Sequence, residues 1–188
     1  MRITGITGTN CAGKGLATTI LKEMGFSAYN VREFLLAEAV AMGVDLADRT
    51  AIGAFGTRLR KEHGPAYLVE RLLERAICEN KDLVVIESIR HPAEIDFLEA
   101  HCEQFLLLGV DAYPWFRYWR ALARGQITDK VSFEGFLAEE RAEWNSNDPG
   151  GMSIRICMER AEPVLLNNGA VSEFRSRVIR AGHSLRPI

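Results

Sequence analysis

Closely spaced cysteines are absent from this 188-residue chain. Its four cysteines stand at 11, 78, 102 and 157, with no C-x-x-C pair, and its four histidines, at 63, 91, 101 and 183, are equally dispersed. A metal cluster or a disulfide framework is therefore not expected, and reduced thiols match a cytoplasmic setting. Excess charge of one sign is also missing. Lys and Arg number 23 against 25 Asp and Glu, a net charge of −2. Nothing in that balance draws the chain to nucleic acid or to an anionic membrane. Long apolar runs are lacking too: "FLLLGV" (Phe105 to Val110) has the length of a buried strand, not of a membrane span. There is no internal repeat, low-complexity tract or linker, so a single domain over residues 1–188 is expected. The opening "MRITGIT" runs directly into a strand-like pattern, so no signal peptide is expected ahead of the fold.

Alternating elements are present in their place. Four apolar runs read as buried parallel strands, "ITGIT", "LVVIES", "QFLLLGV" and "EPVLLN", with a weaker fifth, "FSAYNV". Between them lie helical patterns. Ile52, Phe55 and Leu59 repeat at helical spacing, and Val69, Leu72, Leu73, Ala76 and Ile77 form a wider stripe. "HGPAYL" separates these two helices, with Gly64 suited to a cap and Pro65 to a first turn. Strands alternating with helices predict an α/β three-layer fold around a parallel sheet. Residues 125–151 hold a short helix, "SFEGFLAEERAEW", between two turn-rich stretches, and are expected to form a lid excursion at the sheet edge.

The first strand is followed by "GTNCAGKGL", which has the spacing of a phosphate-binding loop, Gly8-x-x-x-x-Gly13-Lys14. Strand before and helix after are the context such a loop requires. Successive backbone N–H groups and the helix N-terminus make an anion cradle from Gly8, Thr9, Asn10, Cys11, Ala12, Gly13, Lys14, Gly15 and Leu16. Glycines permit the tight turn, and Lys14 would bridge the β- and γ-phosphates of ATP. A Ser or Thr that would ligate Mg²⁺ usually follows the lysine; here Gly15 does. Mg²⁺ keeps several waters readily, so nucleotide oxygens, water and a carboxylate elsewhere suffice. Glu87 is the candidate metal-site carboxylate. It ends the strand "LVVIE", and ligands of parallel sheets bind beyond the carboxyl ends of strands. Arg90, three residues on, can grip an acceptor phosphate.

These two segments carry a resemblance. "GKG" is similar to adenylate kinases and related nucleoside monophosphate kinases, in which glycine follows the loop lysine. Those enzymes continue with Thr where this chain has Leu16, and have Gly near mid-loop where it has Cys11. "ESIR" resembles the "D-G-I-R" element of dephospho-CoA-kinase-like proteins and the "D-G-F-P-R" element of adenylate kinase, with Glu87 in place of Asp. The resemblance implies a P-loop kinase fold with strand order 2-3-1-4-5, ATP and Mg²⁺ as cofactors, and transfer of the γ-phosphate to a nucleoside monophosphate or similar small phosphorylated acceptor. A dephospho-CoA kinase acting on a ribose hydroxyl, and a nucleotide-binding regulatory protein with little turnover, stand beside it as alternatives.

It also directs attention to arginines. Arg117, Arg120 and Arg124 share one face of the helix in "YPWFRYWRALARG", with Phe116 and Trp119 on a neighbouring face toward the sheet. By similarity to nucleotide kinases, Arg120 and Arg124 would clamp the transferred phosphoryl group beside Lys14 and Glu87, closed over by the lid. The alternative for these arginines is a solvated basic face. Acceptor-binding helices are expected over about residues 30–80, with Arg32 and Arg60, besides Arg90, as phosphate ligands. "LLNNGA" matches the place where such proteins cradle adenine, with Asn167 and Asn168 as candidates, Asn168 carried as the site residue, and a simple turn with Gly169 as the alternative.

Overall fold

The structure is a computed structural model and describes residues 1–125, 132–146 and 148–184. Five strands, β1 (Arg2–Gly8), β2 (Ser27–Asn30), β3 (Leu83–Glu87), β4 (Gln104–Asp111) and β5 (Val164–Leu166), form one parallel sheet in the order β2-β3-β1-β4-β5. Helices connect them. After β1 comes α1 (Lys14–Glu23); after β2 come α2 (Val31–Ala41), α3 (Arg49–His63) and α4 (Tyr67–Cys78). Next are α5 (Pro92–His101), then α6 (Pro114–Arg124), α7 (Phe133–Trp144) and α8 (Ile154–Arg160), and last α9 (Val171–His183). The strand order and the three layers are those expected.

Side chains alternate across each strand, and the apolar runs therefore feed two cores. Ile3, Val84, Ile86 and Leu107 face one side, where Leu68, Leu72, Ile95 and Leu98 of α4 and α5 pack on them. Ile6, Val85, Leu108 and Val110 face the other, covered by Ile20 and Leu21 of α1 and Phe174 and Val178 of α9. A sheet buried on both faces has near-continuous apolar strands, which is why the runs were so legible. Of the α4 stripe, Ile77 alone is exposed.

The register sets the site. Ile6 of the central strand pairs with Glu87 on one side and Leu108 on the other, and Gly8 pairs with Val110. Asn30 pairs with Glu87 in turn. The carboxyl ends of β1, β2, β3 and β4 thus gather Gly8, Asn30, Glu87 and Asp111 along one edge.

Two expectations change around α6. Phe116 and Trp119 do not pack on the sheet; they are 45% and 54% exposed, as is Trp115 at 52%. Arg117 takes the inner position, buried against Asp111 and Glu140, so the charged face of this helix is the one that faces the protein. A buried guanidinium with two carboxylates satisfies its charge, which frees the aromatic face to point outward. The lid expectation is partly testable. Residues 126–131 and 147 lie outside the described residues. The described remainder is tied down: Lys61 Nζ donates to Asp148 at 2.6 Å, His91 Nε2 lies 3.0 Å from Pro149 O, and Ser153 N donates to Arg90 O at 2.8 Å. Among the described residues no helix is long and apolar enough to cross a membrane.

Gly8 marks a tight point of the frame. Its φ is +145°, and a Cβ there would fall 2.0 Å from Val110 O, a backbone atom that cannot step aside. Gly8→Ala is expected to cost about 2 kcal/mol or more of stability. Urea denaturation measures it; a loss under about 0.5 kcal/mol would contradict the close approach.

Candidate active site

The loop from Thr9 to Gly13 turns β1 into α1. Gly13 has φ +113°, and a Cβ on it would meet Asn167 Nδ2 at 2.3 Å. That amide donates to Ala12 O at 2.8 Å. Thr9 Oγ1 donates to Asp111 Oδ1 at 2.6 Å, which fastens the other end of the loop to β4. No side chain caps α1, so the first-turn N–H groups of Lys14, Gly15 and Leu16 open into the loop. The Leu16 side chain itself packs toward the α1 core.

Lys14 folds back beneath the loop. Its Nζ donates to Gly8 O at 3.0 Å and Thr9 O at 2.7 Å. Among the described residues no carboxylate lies within ion-pair distance of it. Burial, and secondarily the charge of Arg90, lower its pKa from 10.5 to about 7, against an upward pull from Glu87 and Glu143. A buried ammonium held only by carbonyls is a site for an anion.

Glu87 stands beside it, buried at the end of β3. Thr18 Oγ1 donates to Glu87 Oε2 at 2.8 Å, from one turn along α1. A Cβ at Gly15 would stand 3.9 Å from Glu87 Oε1. The glycine therefore leaves clear the space beside the carboxylate, and Thr18 supplies a hydroxyl to it from below. Sequence reasoning missed Thr18. Its only signal was the helical spacing from Lys14, i to i+4. Among the described residues no group of three His, Cys, Asp or Glu side chains could hold a metal. One buried carboxylate fits Mg²⁺ only if phosphate and water supply most of its oxygens, which is its usual mode beside nucleotides.

Ser88, next in chain, has φ +74°, a strained value for a non-glycine residue. Ser88 N and Ile89 N both donate to Ile6 O at 3.0 Å, and Thr7 Oγ1 donates to Ile89 O at 2.9 Å. These bonds hold the turn that carries Arg90. In the adenylate kinase element this position is glycine, which adopts such an angle freely.

A cleft of about 450 Å³ brings together Lys14, Gly15, Arg32, Glu87, Arg90, Arg120 and Arg124. Arg120 donates to Ala12 O at 3.3 Å and to Asn167 O at 2.7 Å, bracketing the loop from α6. Arg117 lies deeper. It donates from Nε to Ala112 O at 2.7 Å and from a terminal nitrogen to Glu140 and, at 3.5 Å, to Asn10 O. Its burial lowers its pKa, with Asp111 opposing. Arg60 is not in this cleft. It lines an adjoining cavity of about 50 Å³, also walled by Arg32, Leu35, Ile52, Ser88, Arg90, Glu143 and Met152. Its guanidinium is buried against Glu94, with nitrogens at 3.0 and 3.3 Å from Oε1. Breaking such a buried pair costs about 3–5 kcal/mol. Arg90 is paired to Glu143 of α7. Asn168 accepts from Tyr113 N at 2.7 Å, while Asn167 makes the loop contact at Ala12. Asp111 was missed, although the rule that singled out Glu87, an acid ending a buried strand, applies to "FLLLGVD" equally.

No protein-family model matches the chain. Among curated proteins it is 27% identical over 184 residues to a "UPF0200 protein" of Methanothrix thermoacetophila, covering 95% of this chain and 94% of that one. A "UPF0200 protein" of Pyrococcus horikoshii is 25% identical over 177 residues, covering 92% and 91%. Among solved structures, TT1252 from Thermus thermophilus superposes with a TM-score of 0.66 at 21% identity, covering 99% of this chain and 98% of that one. A gluconokinase from Sinorhizobium meliloti gives 0.55 at 12%, covering 98% and 93%. Dephospho-CoA kinase from Campylobacter jejuni gives 0.51 at 15%, covering 98% and 97%. The fold is that of the P-loop kinases.

Thr18→Val keeps the shape and removes the hydroxyl. It is expected to lower ADP affinity about tenfold with Mg²⁺ present and to leave it unchanged with the metal chelated. Thr18→Ser should restore it. Calorimetric titration decides; equal losses with and without Mg²⁺ would remove the link to Glu87.

Proposed function

We propose that this protein is an ATP-dependent phosphotransferase acting on a small-molecule acceptor. The observation that carries the reading is Lys14, a buried ammonium with only carbonyls for partners, set under open helix N–H groups. The loop amides and Lys14 bind the β- and γ-phosphates. Arg120, and Arg124 beside it in the cleft, face the transferred group. Catalysis is positioning and charge stabilisation. Mg²⁺ bound with the nucleotide would supply neutralising charge, and Glu87 is the residue that would hold it, directly or through water. The cavity of about 210 Å³ beside Asn168, Gly169 and Arg177 is the place for the adenine base.

The acceptor side is the cavity between α2 and α3. A nucleoside monophosphate acceptor, as the resemblance implies, would rest its phosphate on Arg32 or Arg90. A hydroxyl acceptor without phosphate is favoured by a different observation: Arg60 and Arg90 already have carboxylate partners.

Lys14→Ala should reduce phosphoryl transfer from ATP by about a thousandfold or more while the circular dichroism spectrum and thermal midpoint stay near those of the unaltered chain. Glu87→Ala should weaken the Mg²⁺ dependence. Single-turnover transfer with radiolabelled ATP reads both. Undiminished transfer in Lys14→Ala would overturn the assignment, and ATP binding without transfer to any acceptor would mark a regulatory nucleotide-binding protein instead.

A further inference from the structure

The two sides of the cleft differ in charge balance. On the donor side Lys14 and Arg120 bond to carbonyls, those of Gly8, Thr9, Ala12 and Asn167. Among the described residues neither has a carboxylate partner. A carbonyl satisfies a donor without cancelling its charge, so net positive charge stands where ATP phosphates would lie. On the acceptor side both inner arginines are neutralised. Arg90 pairs with Glu143, and Arg60 pairs with Glu94, which also accepts from Arg90 N at 2.8 Å and His91 N at 3.1 Å. Glu94 is wholly buried and Glu143 nearly so.

Glu143 is built into the wall. Its helix is pinned by Glu140 to Arg117 and by the buried Phe136. The chain that follows is bonded to α3 and to the β3–α5 turn through Asp148, Pro149 and Ser153. An acceptor phosphate resting on Arg90 would have to take it from Glu143 and leave a buried carboxylate facing a dianion, and one resting on Arg32 would still share the cavity with Glu143. An uncharged hydroxyl requires no such exchange, and Leu35, Ile52 and Met152 line the cavity of about 50 Å³ beside Arg90, room for a few apolar atoms next to the larger cleft.

We propose that the acceptor is a small compound presenting an uncharged hydroxyl, and that Glu143 is the residue that excludes phosphate-bearing acceptors; this rests on the reading of the protein as an ATP-dependent phosphotransferase. The acceptor oxygen bonds to the γ-phosphorus as the bond from that phosphorus to the β,γ-bridging oxygen breaks. ADP leaves with the electron pair. The hydroxyl proton passes to a non-bridging oxygen of the transferred phosphoryl group and from there to water.

Calorimetric titration of CMP, UMP and inorganic phosphate into the ADP-loaded chain tests this. The unaltered chain should bind each only in the millimolar range. Glu143→Gln should bind them about tenfold tighter or more, and Glu143→Gln with Arg90→Gln should lose that gain. Micromolar binding of a monophosphate by the unaltered chain, or no gain in Glu143→Gln, would overturn the proposal. So would γ-phosphate transfer from ATP to any nucleoside monophosphate by the unaltered chain, a result that does not depend on a variant folding. Failure of ADP itself to bind would instead overturn the donor reading beneath it.

Discussion

A buried ammonium held by two carbonyl oxygens is the contact on which the rest of this molecule turns. Lys14 reaches back to Gly8 O and Thr9 O, and it can do so only because the loop between them is folded tightly. The loop in turn is held at both ends, by Asp111 on Thr9 and by Asn167 on Ala12. Those two residues end or follow neighbouring strands, so the parallel register of β1, β4 and β5 is what places them. Burying an unneutralised charge is costly. The fold bears that cost at the one point where an anionic ligand would repay it.

Two departures from common phosphate loops make sense together. Gly15 supplies no hydroxyl, and Glu87 is one methylene longer than the usual Asp. The glycine leaves space in front of the longer carboxylate, and Thr18 steadies it from the next turn of α1. Read singly, each looks like a weakened site. Placed side by side, they form one arrangement with its carboxylate still directed at the loop.

The layers and strands were legible because both faces of the sheet are buried, so strands show as unbroken apolar runs. The loop was legible because glycine spacing and a lysine leave few other structures open to the chain. The arginines were less so. Sequence places a guanidinium on a face but does not say which carboxylate meets it. Arg60 and Glu94 are 34 residues apart and Arg90 and Glu143 are 53 apart, and only the folded chain brings each pair together. Helix α6 shows the same limit. Its aromatic residues looked like the inner face, yet Arg117 won that position through partners on β4 and α7. Asn167 and Asn168 are neighbours of the same type, and strand register alone decides which reaches the loop.

The protonation of Lys14 tests the account most directly. Labelling lysine side chains and following the Lys14 Cε resonance against pH, with Lys14→Arg to assign it, reads its pKa in the free chain and with ADP bound. The account predicts a midpoint of about 7 in the free chain, well below the ordinary 10.5, rising when ADP supplies the missing negative charge. An ordinary midpoint in the free chain, unmoved by ADP, would contradict it.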